Sequence, residues 1–240
     1  MNKEDLKIVY MGTPDFAVEP LRRLVEDKYN VVGVVTMPDK PAGRGHKLQF
    51  SPVKQYAVDN NLHVMQPEKL KAEEFVDELR SLNADLFIVV AFRMLPEVVW
   101  AMPRLGTFNL HGSLLPQYRG AAPLNWAVIN GEKETGITTF FLTHEIDTGK
   151  IIQQEKIAIN EEDNVGTIHD KLMIMGGDLV LDTVKNIIAG TVKPKPQEEL
   201  YASESELKPA PKIFKETCHL DFNNPTENIH NLVRGLSPYP

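Results

Sequence analysis

Asn109 and His111 stand two residues apart at the end of a short apolar stretch, and Asp147 follows 36 residues after His111 in the run Glu145-Ile146-Asp147-Thr148-Gly149. The three groups are chemically complementary. A neutral amide donates, an imidazole donates or accepts a proton near neutrality, and a carboxylate holds negative charge. Together they suit transfer of an acyl group, in which an oxyanion is stabilised and a proton removed. Each has a bland reading when taken singly. A strand-end Asn or His satisfies nearby backbone groups, and an Asp before Thr-Gly forms a turn. Ser113 could be read as a nucleophile, but its run lacks the Gly-x-Ser-x-Gly elbow that exposes such a serine. His111, His144 and Asp147 could ligate a cation, yet neither His-x-x-x-His nor cysteine spacing supports it, and no metal is expected.

These groups need a scaffold that delivers them at strand ends. Leu6–Met11 is an apolar run closed by Gly12 and reads as a first strand and its turn. Asp15 is placed to cap a helix from Phe16 to about Asp27. Val31–Val35 is a second strand. Residues 38–50 read as a long loop, and Ser51-Pro52 as the start of a helix running to about Asn60. His63–Met65 is a brief strand, Lys69–Leu82 has helical spacing, and Asp85–Phe92 has the continuous apolar character of a buried parallel strand. Thr107–Leu110 is a fifth strand that delivers Asn109 and His111. Ala121–Ile129 reads as helix. Thr135–Thr143 and Lys150–Ile159 read as an antiparallel pair with Asp147 in their connection, and Val165–Ala189 as a long helix with a weak point at Gly176-Gly177.

Strands alternating with helices predict an α/β fold with a doubly wound, mostly parallel sheet. Ligands of such sheets bind beyond the carboxyl ends of the strands, where Gly12, Arg93 and His111 all fall. The run Gly12-Thr13-Pro14-Asp15-Phe16-Ala17 lacks Gly-x-Gly-x-x-Gly, which argues against a dinucleotide. Residues 191–215, with Pro194, Pro196, Pro209 and Pro211 among charged residues, read as an extended linker. Asp221–Leu236 reads as a short strand and helix. The expected division is a catalytic domain over 1–190, a linker over 191–215, and over 216–240 the start of a C-terminal region that breaks off at Pro240.

The net charge of −7 excludes a globally basic nucleic-acid binder. Locally, Lys40, Arg44, Lys47 and Lys54 face Asp39 alone, so an RNA would bind that feature rather than a general field. The longest apolar run, Leu86–Phe92, is far short of the ~20 residues needed to span a bilayer. The start Met-Asn-Lys-Glu-Asp has no apolar signal region. No membrane partner and a cytoplasmic location are expected. Cys218 is the single cysteine, which excludes an internal disulfide and a cysteine-cluster metal site.

Asn109-Leu110-His111-Gly112-Ser113-Leu114-Leu115-Pro116 with the later Asp147 resembles the signature of the folate-dependent formyltransferases, whose fold is Rossmann-like. Gly12–Phe16, Pro38–Leu48 and Tyr118–Pro123 resemble the members that act on initiator methionyl-tRNA. The resemblance runs from about residue 6 to 240. It implies that 10-formyltetrahydrofolate, as co-substrate, gives its formyl group to the α-amine of methionine on the initiator tRNA. It makes Asn109, His111 and Asp147 catalytic. Asn109 and a protonated His111 would donate to the oxyanion; Asp147 would hold His111 charged and help remove the amine proton, directly or through a water. The folate would lie against Phe92, Arg93, Met94 and Leu95, against Ser113, Leu114, Leu115 and Pro116, and against Thr143 and Glu145. Gly12, Thr13, Pro14 and Phe16 would border the substrate. Lys40, Arg44 and Lys47 would contact tRNA, Arg44 foremost. The family continues into a C-terminal β-barrel that helps hold tRNA, so a truncated chain, working as a monomer, is expected. The sequence departs from many relatives at Phe92-Arg93-Met94, where a Tyr-Gly pair is frequent, and this leaves the contacts of the Arg93 side chain open.

Other readings have discriminating features. A formyl-folate hydrolase of the same family carries an N-terminal regulatory domain, and no such segment precedes Lys7. A formyltransferase acting on a nucleotide sugar or a purine precursor lacks the basic insert in this form. A non-catalytic tRNA- or folate-binding module has no need to keep Asn109, His111 and Asp147 together.

Overall fold

The computed structural model of the chain describes residues 2–42 and 47–240, which form two compact units. The first comprises Met1–Leu110 and Gly176–Val192. Its elements in chain order are β1 (Lys7–Gly12), α1 (Val18–Glu26), β2 (Asn30–Val35), β3 (Lys40–Ala42), β4 (Lys47–Gln49), α2 (Pro52–Asp59), β5 (Val64–Met65), α3 (Glu73–Ser81), β6 (Leu86–Val90), α4 (Glu97–Trp100) and β7 (Thr107–His111), whose last residue already belongs to the second unit. The strands pair in parallel in the order β5-β2-β1-β6-β7.

The pairing explains the composition. β6 has parallel neighbours on both sides, β1 and β7, and all five of its residues are buried, so no position on it can be polar at low cost. Ile8, Tyr10, Met11, Phe87, Ile88 and Phe108 form the centre of this core, each side chain contributing about 1.5–3 kcal/mol by leaving water. The Tyr10 hydroxyl, fully buried, donates to the Ala17 carbonyl at 2.6 Å. Helices α1, α2 and α3 are each followed by a residue in the left-handed region, Lys28, Asn61 and Asn83, with φ of 60°, 55° and 48°, the conformation that reverses the chain after a helix. α2 starts as its sequence implies: the Ser51 hydroxyl accepts from the Lys54 N–H at 3.1 Å and Pro52 fills the first turn.

The second unit comprises His111–Met175 and Lys193–Pro240. It holds α5 (Pro123–Ile129), the antiparallel pair β8 (Glu134–Phe141) and β9 (Ile151–Ala158), the first turns of α6 (Val165–Ala189), and α7 (Thr226–Gly235). Leu115, Phe140 and Ile151 pack together with Leu142 against them. Asn164 and Thr167 cap α6 reciprocally, each backbone N–H reaching the other's side-chain oxygen at 3.0–3.1 Å. Just before them Asp163 accepts from the Asn160 N–H, the Thr167 hydroxyl and the Lys171 ammonium at 2.7–2.9 Å. Arg234 of α7 donates to the carbonyls of Asn160 and Asp163.

Five local readings need correction. Asp15 is not the cap of α1; it opens a 3-10 turn, Asp15–Ala17, and its carboxylate takes the N–H of Phe16 at 2.9 Å. The long loop over 38–50 contains the short β3–β4 hairpin. α4 was missing from the reading because a four-residue helix is too short to show a period. The expected strand from Asp221 is absent among the described residues; a turn, closed by Asn224 N–H to Asp221 O at 3.1 Å, leads into α7 instead. Gly176-Gly177 does not interrupt α6, which runs unbroken. A Cβ on Gly176 would lie 2.8 Å from Leu110 Cδ2, and one on Gly177 would lie 2.9 Å from Arg23 Cγ. These glycines let neighbours approach, and the packing offsets their poor helix propensity. Residues 193–211 have little regular structure, as their prolines imply, yet Gln197 and Ala210 are fully buried. Among the described residues no helix is long and apolar enough to cross a membrane.

Candidate active site

β7 ends with Asn109 half-buried and His111 buried, two residues apart and therefore on one face of the strand. In the second unit His111 Nε2 lies 2.9 Å from the Tyr118 carbonyl oxygen. A carbonyl can only accept, so Nε2 carries the proton and Nδ1 is the opposite edge. Nδ1 lies 3.8 Å from Asp147 Oδ2. That separation is too long for a hydrogen bond. The Phe140 ring stands edge-on to the imidazole, at 6.4 Å between centroids and 86° between planes, and shields it from solvent.

The backbone around this pair is held in rare conformations. Asp147 has φ 56° and Tyr118 φ 61°. Left-handed backbone costs a non-glycine residue about 1–3 kcal/mol and persists only where neighbours hold it. For Tyr118 the restraints are explicit. Its N–H donates to the Lys208 carbonyl at 2.6 Å, and its hydroxyl donates to Glu132, which also receives the Lys208 ammonium. Burial, then the bond to Glu132, pushes the Tyr118 hydroxyl pKa up. Burial alone would raise Glu132, but the bonds from Lys208 and Tyr118 outweigh it and the net shift is downward. Tyr118 is thus fixed at its N–H and its hydroxyl, and its carbonyl meets the imidazole.

Asp147 is held on both sides. Its Oδ2 accepts from the Gly120 N–H at 2.9 Å, and its carbonyl accepts from Gln197 Nε2 at 2.8 Å. Gly120 has φ 128° and lies so close to residue 210 that a Cβ there would sit 2.4 Å from the Ala210 oxygen. The segment alongside is stitched by Ala210 N–H to Arg119 O and Ala121 N–H to Ala210 O, at 2.9 and 2.7 Å. Gln197 is fully buried; its Nε2 also donates to the Gly149 carbonyl at 2.8 Å, while its Oε1 accepts from Arg119 Nε and Nη2 at 3.1 and 2.7 Å. A Cβ on Gly149 would meet the Phe141 oxygen at 1.6 Å, so this turn admits no larger residue.

The Ser113–Pro116 turn is mostly internal. Ser113 is fully buried and its hydroxyl donates to the Gln117 carbonyl at 2.7 Å, which leaves no free nucleophile. Leu115 and Pro116 are buried and Leu114 is half-buried. The Thr138 hydroxyl donates to Ser113 O at 2.6 Å and accepts from the Leu115 N–H at 3.2 Å, and Gln154 donates to both Leu115 O and Thr138 at 2.9 Å. Thr143 and Glu145 are exposed in the connection before Asp147, where Thr143 Oγ1 lies 3.3 Å from the Glu145 carbonyl.

In the first unit, Phe92, Arg93, Met94 and Leu95 follow β6. Leu95 is buried and Met94 is 70% exposed. Arg93, left open by the sequence, donates to the carbonyls of Pro67 and Glu68 and lies 5.6 Å from the Phe92 ring centroid. Burial lowers its pKa. The side chain therefore pins its own loop to residues 67–68. Gly12, Thr13, Pro14 and Phe16 form the turn after β1; a Cβ on Gly12 would sit 2.7 Å from Ala17 Cβ and 3.0 Å from Val90 O. In the basic segment Lys40 is exposed and Lys47 pairs through its backbone with Ala42; Arg44 lies outside the described residues. Its base is anchored where Asp39 accepts from Lys54 and, at 2.8 Å, from Gln66.

Sequence reasoning missed Gln197, Thr138 and Gln154. Arg119 and Gly120 stood inside a recognisable run without a role, whereas Gln197 was one polar residue among many in a proline-rich stretch and carried no signal.

The formyl transferase family model matches residues 6–184, and that of the formyl transferase C-terminal domain matches residues 212–240. A methionyl-tRNA formyltransferase of Bacteroides thetaiotaomicron is 71% identical over 240 residues, covering 100% of this chain and 74% of that protein. Among solved structures, a sugar N-formyltransferase from Shewanella sp. has a TM-score of 0.72 at 20% identity, covering 97% of this chain and 88% of the other. The sugar 3N-formyl transferase WlaRD, solved in the presence of dTDP and 5-N-formyl-THF, has a TM-score of 0.68 at 22% identity, with 96% and 78% covered. These structures share the fold.

Proposed function

Because this chain belongs to the methionyl-tRNA formyltransferase family, we infer that it transfers the formyl group of 10-formyltetrahydrofolate to the α-amine of methionine on initiator methionyl-tRNA, the step that prepares that tRNA for translation initiation. The observation that carries this is 71% identity over the whole chain. The His111–Asp147 pair supplies a means.

The amine nitrogen attacks the formyl carbon, and the carbonyl oxygen takes up the negative charge. Asn109, through its amide, and His111, as imidazolium, donate to that oxygen; a well-aimed donor of this kind is worth roughly 2.7–4 kcal/mol. The imidazolium is anchored at Nε2–H by Tyr118. Its Nδ1 lies 3.8 Å from Asp147 Oδ2, too far for a hydrogen bond, so that edge of the ring can serve the oxyanion. Asp147 receives the amine proton. Collapse of the intermediate breaks the bond from the formyl carbon to N10, and the same proton passes to N10. The products are the formamide and tetrahydrofolate, with no covalent enzyme intermediate.

Phe92, Arg93, Met94 and Leu95, the Ser113–Pro116 turn, and Thr143 and Glu145 are assigned to the folate on the family resemblance. Because the Ser113 hydroxyl is already used internally, its contribution falls to backbone groups. Gly12, Thr13, Pro14 and Phe16 are assigned to the substrate, and Lys40, Arg44 and Lys47 to tRNA. We take the working form as a cytoplasmic monomer, which sedimentation and fractionation check. The deciding assay offers labelled 10-formyltetrahydrofolate with initiator Met-tRNA, elongator Met-tRNA or water. Label on the initiator tRNA is expected; label released only as formate would replace the reading with a hydrolase.

A further inference from the structure

We propose that Gln197 is the positioning residue for Asp147, setting the carboxylate against His111 from a segment fifty residues further along the chain. The inference rests on the assignment of Asp147 to the transfer step. Gln197 is fully buried, and every hydrogen-bonding group of its amide is used. The two N–H groups of Nε2 go to the carbonyls of Asp147 and Gly149, the residues that bracket Thr148. Oε1 takes two donors from Arg119, the residue before the Gly120 whose N–H holds the Asp147 carboxylate. One amide thus ties the backbone of Asp147 to the loop that binds its side chain. A buried network satisfied at every member has one low-energy geometry.

The supports of Gln197 point the same way. Lys195 and Ile151 exchange two backbone hydrogen bonds, at 2.8 and 2.9 Å, which anchor the chain two residues before Gln197 to the start of β9. Pro196 precedes it and a 3-10 turn, Gln197–Leu200, begins with it. Arg119 is further steadied over the Tyr201 ring, 5.9 Å from its centroid. Asp147 stands in the left-handed region at φ 56°, so its carboxylate direction depends on what grips its backbone. Gln197 reaches that backbone and makes no direct bond to the carboxylate. Its role is therefore to orient.

The test uses the full chain with Gln197→Glu, which keeps the shape and removes the donors, and Gln197→Met, which keeps the volume. Initial rates are measured on whichever acceptor the unmodified protein uses, tRNA or water, so that failure of the tRNA assignment appears in the unmodified protein and failure of this inference appears in the ratio. The expected result is kcat per folded molecule lower by about 10- to 100-fold, as for a misplacement near 1 Å, with the KM for 10-formyltetrahydrofolate changed by less than about threefold. Folded variants with unchanged kcat, or a change in KM alone, would overturn it. If both variants fail to fold, Arg119→Lys decides. It keeps the charge, removes the paired donors to Oε1 and leaves the Asp147 and Gly149 carbonyls bonded. A drop in kcat at constant KM then supports the positioning role, and unchanged kcat reduces Gln197 to a structural residue.

Discussion

Asp147→Asn separates the charge of the carboxylate from its packing. The asparagine oxygen can still accept the Gly120 N–H at 2.9 Å, and the Gln197 bond to the backbone carbonyl is untouched, so folding should change little. What is lost is a negative charge 3.8 Å from His111 Nδ1. A carboxylate so placed is the acceptor assigned to the amine proton. Loss of a positioned proton acceptor costs about 10²–10⁴ in rate, centred on three orders of magnitude. The assay is a single-turnover transfer of labelled formyl to initiator Met-tRNA, with folate binding titrated on the same preparation. The expected result is a rate about 10³-fold lower with folate affinity largely kept. A rate within about tenfold of the unmodified protein would show that neither the charge nor the basicity of Asp147 matters, and the mechanism would fail.

Gly149→Ala would drive a methyl group into the Phe141 carbonyl, 1.6 Å away, and should cost about 3 kcal/mol, seen by calorimetry as a Tm lower by about 6–12 °C; an unchanged Tm would contradict the turn geometry. Burial would raise the Asp163 pKa, but the bonds from Lys171, Asn160 and Thr167 prevail and hold it at about 2. A depressed carboxylate pKa gives stability that is fully present above the unfolded value near 3.8 and disappears as pH falls through 2. Asp163→Asn should therefore cost about 2 kcal/mol at neutral pH and flatten the loss of stability between pH 4 and 2 in denaturant titrations, whereas an unaltered slope would reject the assignment. Arg44→Ala should lower kcat/KM for initiator tRNA about tenfold, the worth of one charged contact, while leaving folate binding alone; unchanged tRNA kinetics would remove the basic segment from recognition.

The parallel sheet was legible because each strand has its own local mark. β6 is an uninterrupted apolar run, and β1 ends at Gly12. The candidates Asn109, His111 and Asp147 stood out through the resemblance of their runs to the family signature; their places at a strand end and in a turn before Gly149 are by themselves ordinary. What escaped depends on contacts far apart in sequence. Asp147 and Gln197 are 50 positions apart, and Arg119 and Gln197 are 78 apart; no periodicity within a window of residues encodes such a meeting. Gly176-Gly177 misled for the same reason. Helix propensity is local, while the reason for those glycines is the approach of Leu110 and Arg23.

The interleaving of the two units has a consequence for biosynthesis. Each unit is built from two separate stretches of chain, and the second contains Lys193–Pro240. As the protein leaves the ribosome, Asn109, His111 and Asp147 emerge well before Gln197, and before the residues near Ala210 that lie along the Arg119–Ala121 loop. Contacts so distant in sequence form late. A nascent chain that already displays every assigned reacting group therefore still lacks the clamps that aim them. Competence should arrive in a single step once residue 210 is free, which arrested chains of increasing length, stalled just short of and just beyond that point, would resolve.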